Sequence, residues 1–112
     1  MAYDKVTTLK GSSKSYRLHD DIKRYTLRDN GFQETKTGNF QYFRDVSPLN
    51  SNQSVMLKIL VSKDLDSLRM STTTANGLKT LDVYGKANME TVVENINYIL
   101  ASLIEENVIR EA

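Results

Sequence analysis

Residues 88–109, NMETVVENINYILASLIEENVI, decide how the rest of the chain folds. Met89, Val92, Val93, Ile96, Ile99, Leu100, Leu103, Ile104 and Val108 recur at intervals of three and four, the spacing of one face of an α-helix. At 100° per residue they form one stripe, whereas Glu90, Glu94, Tyr98, Ser102 and Glu105 point away from it. The spacing predicts a helix over the whole stretch, capped by Asn88, with Glu90 in its first turn. Such a helix runs roughly 30 Å, so the remaining residues must supply an apolar surface of that length.

Working back from it, Asn76-Gly77 is the strongest local signal, the dipeptide of a type I′ hairpin. A two-residue turn there sets Thr73 opposite Thr80, Thr72 opposite Leu81, Ser71 opposite Asp82, Met70 opposite Val83 and Arg69 opposite Tyr84. Alternation sorts these residues into two faces. Leu68, Met70, Thr72, Leu81 and Val83 form an apolar side for the long helix. Arg69, Ser71, Thr73, Thr80, Asp82 and Tyr84 form a polar side, which Lys58 of the preceding strand joins.

Upstream, Val55–Val61 is apolar at nearly every position, as a central strand requires. Phe32–Lys36 and Phe40–Val46 flank Thr37-Gly38-Asn39 as a hairpin, and Pro48 ends its second strand. A first helix is expected from His19-Asp20-Asp21 to Asn30, burying Leu18, Ile22 and Tyr25. Gly31 closes it in the left-handed conformation, so that Phe32 packs back on Leu27. Lys5–Lys10 and Ser15–Leu18 form a hairpin or one bent strand. The sum is a single α+β domain over residues 1–112. Its antiparallel sheet has five to six strands in the order β-α-β-β-β-β-α, with both helices on one face.

Composition excludes several functions. The absence of cysteine rules out disulfides, thiolate metal sites and a cysteine nucleophile. A net charge of +1 lacks the excess of a nucleic-acid binder. Residues 1–44 carry nine Lys and Arg against five Asp and Glu, whereas residues 87–112 carry one Arg against five Glu, so the chain is polarised. Met1–Lys10 has no apolar run and no segment reaches membrane-spanning length, so a cytoplasmic location is expected. Asn52-Gln53-Ser54 then matches the glycosylation sequon by chance.

Tyr16-Arg17-Leu18, then Ile22–Asp29, Gly31-Phe32 and Gly38-Asn39-Phe40 resemble the opening half of the domain-of-unknown-function 1831 family, small proteins of Gram-positive bacteria. The chain length and closing helix are also similar. The resemblance implies a fold like that of the TATA-box-binding protein and a gene neighbourhood near a cysteine desulfurase, which makes that enzyme the partner to expect. It carries no activity and no functional residues.

No residue set marks a reaction, a cofactor or a metal. His19-Asp20-Asp21 reads as helix capping and Asp64 with Asp66 as a turn. The five glycines sit singly, so no phosphate loop is expected. The candidate contact surface is Lys58, Arg69, Ser71, Thr73, Thr80, Asp82 and Tyr84 on the open sheet face, with Tyr98 on the outer side of the last helix. The first reading is a non-enzymatic accessory domain that uses this surface to hold a protein partner or a second copy of itself. A small-ligand or catalytic pocket between Arg69, Tyr84 and the first helix is the alternative. Nucleic acid is the weakest reading, because Asp82 interrupts any basic track.

Overall fold

In the computed structural model, which describes residues 4–9, 11–48, 54–86 and 89–112, the apolar stripe winds into helix α2, Glu90–Glu105. Val92, Ile96, Leu100 and Leu103 are buried along it, with Met89, Val93, Ile99 and Ile104 packed beside them. Met89 occupies the N-cap position, and Asn88 lies outside the described residues.

The helix is shorter than its periodicity predicts. Asn107 takes φ +62°, Asn107 N–H donates to Ile104 O at 3.1 Å and Val108 N–H to Leu103 O at 2.9 Å. This pair of bonds is a Schellman closure, and it turns the chain out of the helix. Ile109–Glu111 then form a strand, β7, in which Ile109 is fully buried.

The first helix, α1, is also shorter than expected, Arg24–Asp29. Ile22 N–H donates to His19 O, which makes residues 19–22 a turn, so the expected cap at His19-Asp20-Asp21 is not one. Tyr25 is consequently 63% exposed rather than buried, while Leu18 and Ile22 are buried as expected. The predicted closure does form. Gly31 has φ +90°, Phe32 N–H donates to Leu27 O at 3.0 Å, and both side chains are buried.

The remaining strands are β1 (Thr7–Thr8), β2 (Ser15–Leu18), β3 (Gln33–Glu34), β4 (Phe40–Asp45), β5 (Met56–Val61) and β6 (Leu68–Thr73). They form two antiparallel sheets rather than one sheet of five to six strands. The order is β3-β4-β5-β6 in the larger and β1-β2-β7 in the smaller. β1 and β2 form a hairpin, pairing Thr7 with Tyr16 and Thr8 with Ser15. The N-terminal segment joins the sheets, because Asp4 and Leu68 exchange backbone hydrogen bonds of 3.0 and 2.8 Å and Met70 N–H donates to Thr7 Oγ1.

That join explains the largest correction. Leu78–Tyr84 is not a strand, and it meets β6 only at its tip. Thr73 bridges Thr80, Thr74 N–H donates to Lys79 O, and Thr72 and Leu81 share two bonds. The register is the one Asn76-Gly77 predicts, but the turn is not type I′. Gly77 N–H donates to Thr74 O and only Gly77 of the pair has positive φ, giving a four-residue loop. Below Thr72 the N-terminal segment occupies the β6 edge, and residues 82–84 are displaced towards Gly11.

Alternation places Phe40, Tyr42, Leu57, Ile59, Val61, Leu68, Met70 and Thr72 on the covered side of the large sheet. Both helices lie there. Arg24 and Arg28 stand 5.9 and 5.8 Å from the Phe40 ring centre, and Asn95 of α2 donates to Val46 O just beyond Tyr42 and Arg44. Fully burying such an aromatic or aliphatic side chain is worth about 1.5–3 kcal/mol.

Candidate functional site

Among the described residues the other side of the large sheet carries no helix. Register aligns Phe43, Lys58 and Ser71 in one row across β4, β5 and β6, and Gln41, Leu60 and Arg69 in the next. Phe43 is 39% exposed, and Lys58, Leu60, Arg69 and Ser71 are half-buried. The face therefore interleaves two apolar side chains, Phe43 and Leu60, with two cations. Among the described residues neither Lys58 nor Arg69 forms an ion pair.

The Asn76-Gly77 tip bends onto this surface. A β-carbon added to Gly77 would lie 3.6 Å from the Phe43 ring and 4.0 Å from Lys58 Nζ. Leu78 beside it is 86% exposed. Thr73, expected on the wet face, is only 3% exposed, because the loop that follows covers it. Thr80 stays exposed at the bridge.

Asp82 and Tyr84 leave the surface altogether. A β-carbon on Gly11, whose φ is +84°, would sit 2.8 Å from Asp82 Oδ1 and 3.2 Å from Tyr84 Cβ. Asp82 Oδ1 is buried there without a hydrogen-bond partner among the described residues. Burial, and then the nearby Tyr16, raise the Tyr84 hydroxyl above its ordinary value, with a Ser12 hydrogen bond opposing them. Arg69 and Tyr84 thus do not face each other across a hairpin; Tyr84 instead lines cavities with Met89 and Val93 on one side and with Gly11 and Tyr16 on the other. The departure of Asp82 also removes the acid that was to interrupt the cations.

Tyr98 stands apart, 80% exposed on α2, beside a groove of about 240 Å³ shared with Asn30, Tyr42, Arg44 and Ser102. So three of the eight expected surface residues, Lys58, Arg69 and Ser71, are brought together. Phe43, Gln41 and Leu60 complete their surface. Phe43 was findable, since period two places it opposite the buried Phe40 and Tyr42. Its register with Lys58 was not, because no tight turn joins β4 to β5.

His19 Nδ1 accepts the Asp21 N–H at 3.1 Å, and Asp20 lies 3.6 Å from Arg17 and 3.3 Å from Arg110. The cluster is structural, tying β2 to β7. Among the described residues no group of three or more His, Cys, Asp or Glu side chains could hold a metal, and no helix is long and apolar enough to cross a membrane.

Comparison with known proteins gives a family and one solved relative. The family model DUF1831, described as "Putative amino acid metabolism", matches residues 1–110. The crystal structure of a DUF1831 family protein from Lactobacillus plantarum is 34% identical, with a TM-score of 0.90, over 100% of this chain and 99% of that one. No curated protein matches the chain.

Proposed function

The chain belongs to the DUF1831 family, and from that premise we propose that it is a non-enzymatic accessory domain of amino-acid metabolism that holds a partner protein on its uncovered sheet face. One observation carries the reading: Phe43 and Leu60 lie among Lys58 and Arg69, cations with no counter-ion among the described residues. Exposed apolar side chains beside unpaired charges suit a protein partner that covers the former and neutralises the latter. The family description supports a metabolic enzyme as the partner, and the gene neighbourhood suggested by the resemblance makes a cysteine desulfurase the first to test. A second copy docking face to face would set these cations against each other, which favours a partner of opposite charge.

A chain path like that of the TATA-box-binding protein belongs to this reading, supported by the strand, helix, strands, helix order. It brings no DNA-binding role with it, because a shared fold is not a shared function. A nucleic-acid strand needs a run of stacking rings, and Phe43 is the one ring in these two rows.

The test is a photo-crosslinking residue at Ser71 in living cells, with Lys58→Glu/Arg69→Glu as the comparison. The expected result is a crosslink to the cysteine desulfurase, or to another enzyme acting on amino acids, that the double variant loses while its melting temperature is unchanged. Crosslinks that survive the charge reversal would remove the sheet face from consideration.

A further inference from the structure

Besides the flat of the large sheet, β4 presents an edge. Val46 N–H donates to Val55 O at 2.9 Å, which fixes the even-numbered residues of β4 as those bonding to β5. Gln41, Phe43 and Asp45 therefore direct their N–H and C=O groups the opposite way. β3 meets Gln41, through Gln33, and stops there. The chain preceding β3 does not extend the ladder: Gly31, the residue that the register would set opposite Phe43, has its N–H committed to Arg28 O by the closure of α1. Among the described residues the backbone of Phe43 has no partner on this side, and a short open edge results.

Beside that edge, between β4 and α2, runs the groove that holds Tyr98. Tyr42 and Leu103 are its buried floor, and Arg44 and Tyr98 its exposed rims. Arg44 forms no ion pair among the described residues. Asn30 donates Nδ2–H to Thr26 O at 2.8 Å, which leaves its Oδ1 as an acceptor at the groove.

We propose that this edge and groove take an extended, acidic segment of a partner protein by strand addition. Directly opposed residues of an antiparallel pair share a face. The guest residue facing Phe43 would exchange both backbone bonds with it and lay an apolar side chain against the open face. The guest residue facing Arg44 points into the groove, where a carboxylate meets the guanidinium beneath the Tyr98 ring. Main-chain bonds supply affinity and the groove supplies selectivity, the usual division in this mode of recognition. The proposal shares with the previous reading only that the domain binds protein. The two surfaces meet at Phe43, but the strand edge, Arg44 and the Tyr98 groove belong to this proposal alone.

The probe is the peptide acetyl-Ser-Thr-Glu-Val-amide, which ends opposite Phe43 because Phe32 lies opposite Tyr42; it is titrated to millimolar concentration into the 15N-labelled full chain. In the free protein the Phe43 amide should exchange with solvent much faster than those of Tyr42 and Arg44. On titration the Phe43, Asp45 and Tyr98 amides should shift. Methylating the Val nitrogen, which bonds to Phe43, should abolish binding, whereas methylating the Glu nitrogen, which faces away, should not. Arg44→Gln should weaken binding about tenfold, the size of one charge-assisted hydrogen bond, and replacing Glu by Lys in the peptide should remove it.

Protection of Phe43 in the free chain, absence of any shift, or indifference to the Val methyl group would each overturn the proposal. So would concentration-dependent shifts without peptide, which would assign the edge to a second copy. Shifts confined to Lys58 and Ser71 would overturn it while leaving the sheet-face reading standing. Lys58→Ala/Arg69→Ala, which should release the sheet-face partner without changing the peptide titration, separates the two in the other direction.

Discussion

Gly11→Ala tests the packing that draws residues 82–84 off the expected strand. The substitution has two costs. A β-carbon at φ +84° is disfavoured by about 1–2 kcal/mol. It would also press on Asp82 Oδ1 at 2.8 Å and Tyr84 Cβ at 3.2 Å, and such crowding costs typically about 1–3 kcal/mol. The expected loss is roughly 2–5 kcal/mol, a large share of the stability of an ordinary domain. Gly85→Ala is the control, because Gly85 has φ +76° but, among the described residues, nothing within 4 Å of the added carbon. It should lose only the conformational part, about 1–2 kcal/mol. Urea denaturation read by circular dichroism gives both values. At about 4 °C per kcal/mol, melting should fall further for Gly11→Ala by several degrees. Adding Asp82→Ala should restore part of the loss, since it removes the nearest atom and a buried oxygen that has no partner. Equal losses for the two glycines, or no recovery in the double variant, would refute this account of the Gly11 contact.

Asn107→Gly should stabilise the chain by about 0.5–1 kcal/mol, because glycine takes the left-handed turn at the end of α2 without penalty; a chemical denaturation midpoint reads this, and Asn107→Val should lower it. Tyr84 and Tyr16 have raised folded-state values, chiefly through burial, so their contribution is complete below the ordinary value of 10.0 and is lost as pH rises through the folded value. Tyr84→Phe should reduce that alkaline loss in a stability profile and shrink the late phase of a tyrosinate absorbance titration, leaving the part that Tyr16 contributes. Asp66 is shifted the other way, by Ser62 and then Ser67 donating to its carboxylate, so its contribution is present above the ordinary value of 3.8 and fades as pH falls through the lower folded value. Asp66→Asn should flatten the acid limb of the same profile.

The parts of this fold that the sequence determined by itself are those specified by neighbours along the chain. The apolar stripe of Val92, Ile96, Leu100 and Leu103 needs only helical spacing. Gly31 closes α1 by its own backbone freedom, and Asn76-Gly77 sets the register of Thr72–Thr74 with Lys79–Leu81. The shared face of Lys58, Arg69 and Ser71 follows from alternation once those strands exist. Tertiary structure decided which segment wins each unpaired strand edge. Asp4–Thr7 takes the lower part of β6, so Asp82 and Tyr84 go to Gly11. Ile109–Glu111 leave a plausible helical pattern to pair with β2, since an apolar Ile109 can be buried in either setting. The edge of β4 remains open beside Phe43 because closing α1 takes the N–H of Gly31. Such outcomes depend on competition between hydrogen-bonding groups far apart in sequence, and local side-chain spacing carries no record of it.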